Sequence, residues 1–419
     1  MKVSSIVIFL LIIVVAQAQT TSYLDDLPAL KSIIQKTSSY KAQIKDRKAE
    51  LYDSIYNRLA RDTVNNISGY KYFHNLSQLF FPLRDNHLAF YQIPDYNNFR
   101  DKTRIDSFVK TPEFSAYPKY EINIDSLKSA LATKPAESIE GIYHYDKFYD
   151  VGLFKCSDKE YVGVVVNTEV NLWQKGQIAF HLYEYQPGLY KAIYGHPLRK
   201  NFILQSNEKY INQSLVNSYF YGSYTQKTYS KILGQTDYVN LSQAAPAFEL
   251  KHIDSKIQYL LIRTFQANNA TMDKSEKFYE SIKDSLSAPN LILDLRNNEG
   301  GAEKATAKYF KLIKENTNTG HVYILLNNGT LSQAEIFALE LKKLKNVVTI
   351  GQTTKGMLAY GSNYGKRERL PSGKFEVYIT DMKGAATLLQ YEDQGILPDI
   401  LLNGNVDWID QAIDIIRKK

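Results

Sequence analysis

Residues 291–301 read LILDLRNNEGG: an apolar run interrupted only by Asp294 ends in Arg296-Asn297-Asn298-Glu299 and then two glycines, Gly300 and Gly301. A short apolar run bounded by turn residues predicts a buried strand, and the spacing from about Ala302 to Glu315 predicts a helix after it. Glycines at such a junction adopt dihedrals closed to other residues and let backbone N–H groups approach a ligand. Gly300 is therefore the candidate donor to a developing oxyanion. Taken alone, the pair equally fits any tight connection that needs glycine.

Working outward, residues 322–341 read VYILLNNGTLSQAEIFALEL, which predicts a strand, an Asn-Gly turn and a helix that starts at Ser332. Free amides and the positive dipole end at a helix N-terminus favour negative charge. A nucleophile at Ser332 could thus be served by the Gln333 amide. Ser332 followed three residues later by Glu335 is also a capping box, which would merely close the helix end. Flanking segments extend the strand and helix alternation: strand Gln258 to Thr264, helix Lys274 to Leu286, strand Asn290 to Leu295, helix Gln333 to Leu344 and strand Val347 to Ile350. The expectation is an α/β core over residues 236–419.

Upstream the periodicity changes twice. Leu27, Leu30, Ile33 and Ile34 have helical spacing, and Pro82 marks a turn into Arg84-Asp85-Asn86-His87, so residues 19–135 are expected to form a helical region. From 136 to 235 the pattern alternates, as in Ile178, Phe180 and Leu182 before the Pro187-Gly188 turn, which predicts an antiparallel β-rich domain. Its tyrosines and Leu172-Trp173 read as cross-strand packing ahead of a peptide groove or a carbohydrate surface.

The 419 residues, 44% apolar and 23% charged, suffice for two or three domains. Lys2, the apolar run Ile6 to Val15 and Ala16-Gln17-Ala18 have the layout of a signal peptide over residues 1–18, so the mature protein is expected to be exported, periplasmic or secreted. That run is shorter than the roughly 20 residues of a spanning helix, and no stable membrane insertion is expected. With Cys156 as the only cysteine, no internal disulfide forms. A formal charge of +7, or +6 without Lys2, describes a mildly basic surface and argues against nucleic acid as a partner. No clustered metal ligands and no phosphate-cradling loop occur, so neither metal nor cofactor is expected. No feature of the sequence sets the oligomeric state.

Four stretches in order, DLRNNEGG, TLSQAE, a strand ending in Gly351-Gln352-Thr353-Thr354, and EDQGILPDI, together resemble the motifs of the C-terminal processing, or tail-specific, serine peptidases, serine peptidase family forty-one. The resemblance spans about Ile257 to Leu402. It implies a crotonase/ClpP-like catalytic core, peptide or unfolded-protein substrates and Ser332 as nucleophile. One branch uses a lysine base, but Met357 stands at that position and Lys355 is displaced by two residues. The tricorn-type branch uses a histidine in an Asp-x-His segment, which here implies His87, and a glutamate ahead of its Gly-x-x-Pro-Asp segment, which implies Glu392 beside Asp393. Chemistry would then run through Ser332, His87 and Glu392, with the Gly300 and Gln333 amides as oxyanion hole. The segment before the core lacks a glycine-containing carboxylate loop, so recognition of substrate C-termini is not implied. A catalytically inactive scaffold that keeps the fold is the alternative raised by Met357. If export proceeds as expected, the mature protein from a secreting host will begin at Gln19 by N-terminal sequencing; an intact Met1 would refute cleavage.

Overall fold

The computed structural model describes residues 23–62, 64, 69–363 and 365–418, so the expected signal peptide lies outside the described residues. Two sheets organise the chain. The smaller has the strand order Ile400–Leu401, Val347–Gly351, His321–Leu326, Asn290–Asp294, Ile257–Ile262 and Phe248–His252, parallel except for the last pair. Its central strands are apolar on both faces, as a sheet covered on two sides requires. Leu260, Leu293, Ile324 and Leu326 pack with Tyr309, Ile313, Phe337 and Leu341 from the helices Glu303–Asn316 and Gln333–Lys342. The alternate residues Tyr259, Leu261, Ile292, Tyr323 and Leu325 pack with Trp408 and Ala412 from the helix Trp408–Arg417. This is the α/β core, and the turns that follow its parallel strands carry the motifs described above.

The larger sheet is antiparallel and has ten strands. Six of them, Gly141–Tyr145, Tyr149–Lys155, Glu160–Thr168, Ile178–Gln186, Leu189–Gly195 and Phe202–Ile211, form a meander in chain order, and Ser214–Leu215 pairs back on the last. Trp173 is buried here and donates its indole N–H to the Pro197 carbonyl at 2.7 Å, a packing role. The sheet does not respect the linear segments expected from periodicity. Ala89–Gln92, from the helical region, inserts between Phe202–Ile211 and Phe375–Tyr378, and the latter pairs with Arg367–Arg369. Pairing across more than a hundred residues leaves no local signature, which is why strands of three or four residues escaped the segmentation.

The N-terminal helices cover this recruited edge. Leu27, Leu30 and Ile34 of the helix Tyr23–Lys36 join Phe73, Phe90, Phe202, Phe375 and Val377 in one apolar cluster. A column of rings ties the helix Tyr70–Ser77 to the strand Ile178–Gln186. Tyr70 lies 4.3 Å from His181 between ring centroids, His74 lies 4.9 Å from Tyr183, and the Tyr70 and Tyr183 hydroxyls are hydrogen-bonded. Burial holds His74 down to about 4 and His181 down to about 3, and His181 Nε2 has no partner that could take a proton from an imidazolium. Both rings fold neutral, whereas the unfolded chain protonates them near 6.5, so stability is full above that pH and falls as pH drops from 6.5 towards 4. Each ring is expected to cost about 2 kcal/mol between about pH 7 and about pH 5. In His181→Phe, which keeps the stack, the loss measured by urea unfolding should shrink by that amount; an unchanged pH dependence would refute the assignment.

Candidate active site

Ser332 opens the helix Gln333–Lys342 with φ 57° and ψ −125°, outside the regions where a non-glycine residue rests comfortably. A strand-to-helix turn of this kind lifts the side chain clear of the backbone. Its hydroxyl sits at the helix-capping position and lies 3.1 Å from His87 Nε2, across 245 positions of sequence. Ser332 and His87 are both half-buried, so the pair is reachable from solvent.

The turn is held by Glu335, which is fully buried. Its carboxylate accepts from the Ser332 N–H at 3.1 Å, the Thr354 hydroxyl at 2.6 Å, the Gly356 N–H at 2.8 Å and the Met357 N–H at 3.0 Å. The carboxylate arm of the predicted capping box is thus present and extended to a second loop. Burial pushes the Glu335 carboxyl up, against the pull of its donors. Met357 therefore meets the site through its backbone. Lys355 donates its N–H to Thr330 at 3.1 Å, while its ammonium forms no ion pair among the described residues.

Gly300 corrects an expectation. Its N–H is taken by Asn298 Oδ1 at 2.9 Å, so that amide is not free for an oxyanion. What the position permits is close approach: with φ +79°, a Cβ there would lie 2.7 Å from Gln333 N, 2.8 Å from Leu331 O and 3.0 Å from Ser332 Cβ, so only glycine lets the two motifs pack against each other. Among the described residues, the Gln333 and Gly301 N–H groups are among those of the two motifs that have no acceptor.

His87 follows Asp85 and Asn86, and this segment is bolted to residues 392 and 393. Glu392, fully buried, accepts from Asn86 N–H at 2.7 Å, Leu358 N–H at 2.9 Å and Ala359 N–H at 2.8 Å. Asp393 accepts from Arg84 Nε at 2.8 Å and Asn86 Nδ2 at 2.9 Å. Glu392 thus shapes the backbone before His87 and does not touch the ring, whose Nδ1 is buried without a partner. Burial pushes the Glu392 carboxyl up to about 8. Burial, with a smaller contribution from the Lys355 charge, holds His87 down to about 4.

The antiparallel sheet contributes residues that the sequence reading missed. Lys209 is buried, and its ammonium donates to the carbonyls of Thr354, Lys355 and Gln394 at 3.0, 2.9 and 3.1 Å. Asn207 donates to Lys355 O and Asp393 O at 2.9 and 2.8 Å. A charged residue in alternation on a β-strand ordinarily marks a solvated face, so nothing local distinguished Lys209. Among the described residues, no group of three or more His, Cys, Asp or Glu side chains is arranged to hold a metal ion, and no helix is long and apolar enough to cross a membrane.

The profile of peptidase family S41 matches residues 256–318 and 302–402. No curated protein matches the chain. Among solved structures, a putative peptidase from Parabacteroides merdae is 15% identical, with 94% of this chain and 97% of that one covered at a TM-score of 0.39. The photosystem II D1 C-terminal processing protease is 15% identical over 92% and 94% at 0.36, and the tricorn protease 14% identical over 94% and 37% at 0.36.

If Glu335 holds both loops, Glu335→Ala strands several buried donors and should cost more than about 3 kcal/mol in urea unfolding. Ser332→Ala, which removes one half-buried hydroxyl, should cost about 1 kcal/mol or less. Equal costs would contradict this division of roles.

Proposed function

From the premise that the chain belongs to peptidase family S41 through its C-terminal region and is a serine peptidase by that membership, we propose that it hydrolyses peptide bonds with Ser332 as nucleophile and His87 as general base. The observation that carries the reading is the 3.1 Å separation of Ser332 Oγ and His87 Nε2. It lies within the range for proton transfer, between a hydroxyl at the helix N-terminus and a ring held neutral.

Ser332 Oγ attacks the peptide carbonyl while its proton passes to His87 Nε2. The negative charge on the tetrahedral oxygen is taken by the N–H groups of Gln333 and Gly301, at the close backbone approach that Gly300 permits. His87 then protonates the departing amine, and water, activated by the same ring, releases the acyl group from Ser332. Glu392 acts as a positioning residue through Asn86, and Glu335 does so through the Ser332 N–H. Every step uses groups of the chain itself. The substrates would be peptides or unfolded proteins cut internally, outside the cytoplasm if the leader is read as expected. Met357 does not favour an inactive scaffold, because the role of the missing lysine falls to a base from another part of the fold.

A fluorophosphonate probe is expected to label the wild type, to fail on Ser332→Ala and to label His87→Ala slower by about a hundredfold or more. Labelling of His87→Ala at the wild-type rate would move the base elsewhere. Because the neutral ring is the active form and its value is about 4, kcat/KM should hold well below the ordinary histidine range and fall only as pH approaches about 4. An acid limb near 6.5 would contradict the buried, neutral His87.

A further inference from the structure

Beside the oxyanion turn, the segment after Ser214–Leu215 turns a pair of tyrosines outward. Phe220 points into the sheet and is 5% exposed, packed against Tyr145, Tyr194 and His196, while its neighbours Tyr219 and Tyr221 are 37% and 68% exposed. The two outer rings meet edge to face, 5.0 Å apart between centroids at 85°.

This segment is fastened at three places, two of them on the α/β core. Asn328, in the turn leading to Ser332, donates to Asn217 Oδ1 at 2.7 Å and to Val216 O at 3.2 Å. The Tyr221 hydroxyl donates to Glu299 Oε1 at 3.3 Å, and Glu299 directly precedes Gly300. On the opposite side His196 Nε2 lies 3.1 Å from Tyr221 O. The rings are therefore tied to the residue before Gly300 and, through Asn217, to the turn that leads to Ser332, and they are not a stray surface feature.

Other tyrosines of this sheet, Tyr145, Tyr194 and Tyr229 among them, are buried. Two rings held in water at the mouth of a site offer large apolar area at little further cost in side-chain order, since their χ angles are already set. An edge-to-face pair leaves an open face for a third ring or a branched aliphatic group.

Resting on the peptidase reading above, we propose that Tyr219 and Tyr221 form a substrate subsite that selects an aromatic or large aliphatic side chain at one position near the scissile bond.

The test is cleavage of a peptide pool by wild type, Tyr219→Ala, Tyr221→Ala and Tyr221→Phe, with the residues flanking each cut read by mass spectrometry, followed by kcat/KM on matched peptides carrying Phe or Ala at the selected position. The wild type should enrich Phe, Tyr, Trp and Leu at one position, and the Phe-over-Ala preference should fall about threefold to tenfold in each alanine variant. Tyr221→Phe keeps the ring and should keep most of the preference. An unchanged cleavage profile in both alanine variants, with the wild type cutting normally, would overturn the subsite alone, as would Tyr221→Phe losing as much as Tyr221→Ala. A wild type that neither cuts peptides nor takes the fluorophosphonate would overturn the peptidase reading and the subsite with it.

Discussion

The site depends first on the Glu335 carboxylate. A serine with φ 57° stores about 1–3 kcal/mol of backbone strain and persists only where its surroundings over-determine it. Glu335 holds the Ser332 N–H from inside the helix and, with the same two oxygens, holds Thr354, Gly356 and Met357 from the next loop. Leu331 N–H is fixed in turn on Asn298 O at 3.0 Å, so the turn before Ser332 is tied to the oxyanion strand as well. A neutral amide in place of the carboxylate would present a donor where only acceptors fit. The helix cap is therefore also the joint between two loops, and the Ser332 hydroxyl at that cap is the one that faces His87.

The second requirement is that a histidine 245 residues away arrive within hydrogen-bond reach. No regular element carries it there. The segment around His87 is irregular, and irregular backbone inside a protein must have its polar groups met by side chains. Gln43 does this for the N–H and carbonyl of Arg84 and Glu392 for the N–H of Asn86, while Asn207 and Lys209 do it for the carbonyls of 354, 355, 393 and 394. The antiparallel sheet is thus a frame against which the loops of the peptidase core are set. Its neighbour strand Ala89–Gln92, which starts two residues after His87, delivers that residue to the frame.

How much of this could be read from sequence follows from how local each feature is. The parallel strands and their helices were legible because each is an apolar run with its own period, and Ser332 and Gly300 stood out as residue types at element boundaries, whereas His87 was singled out only by the resemblance of its Asp-x-His segment. Glu335 was legible only as a cap, since its second loop lies about twenty residues further on. Gly300 was misread in part: its dihedral and the close approach it permits follow from being glycine, but the fate of its N–H depended on Asn298 folding back by two residues. Lys209, Asn207 and the recruited strands had no local signal at all, because their meaning comes from partners more than a hundred positions away.

The charges around the pair also fit a base that lacks an orienting carboxylate. In the proposed mechanism His87 becomes an imidazolium in a buried place, with Nδ1 unpartnered and the Lys355 charge nearby, so the charged ring is disfavoured before substrate is bound. The tetrahedral oxyanion is the compensating charge, and it forms at the same moment and within the same small volume. Stabilisation of the imidazolium is then tied to the transition state and is absent in the resting protein, which is the condition for binding energy to lower a barrier. A lysine at position 357 would have needed its ammonium neutralised at rest by burial alone. Histidine begins neutral, and the burial that would be a cost to a structural imidazolium here keeps the base ready.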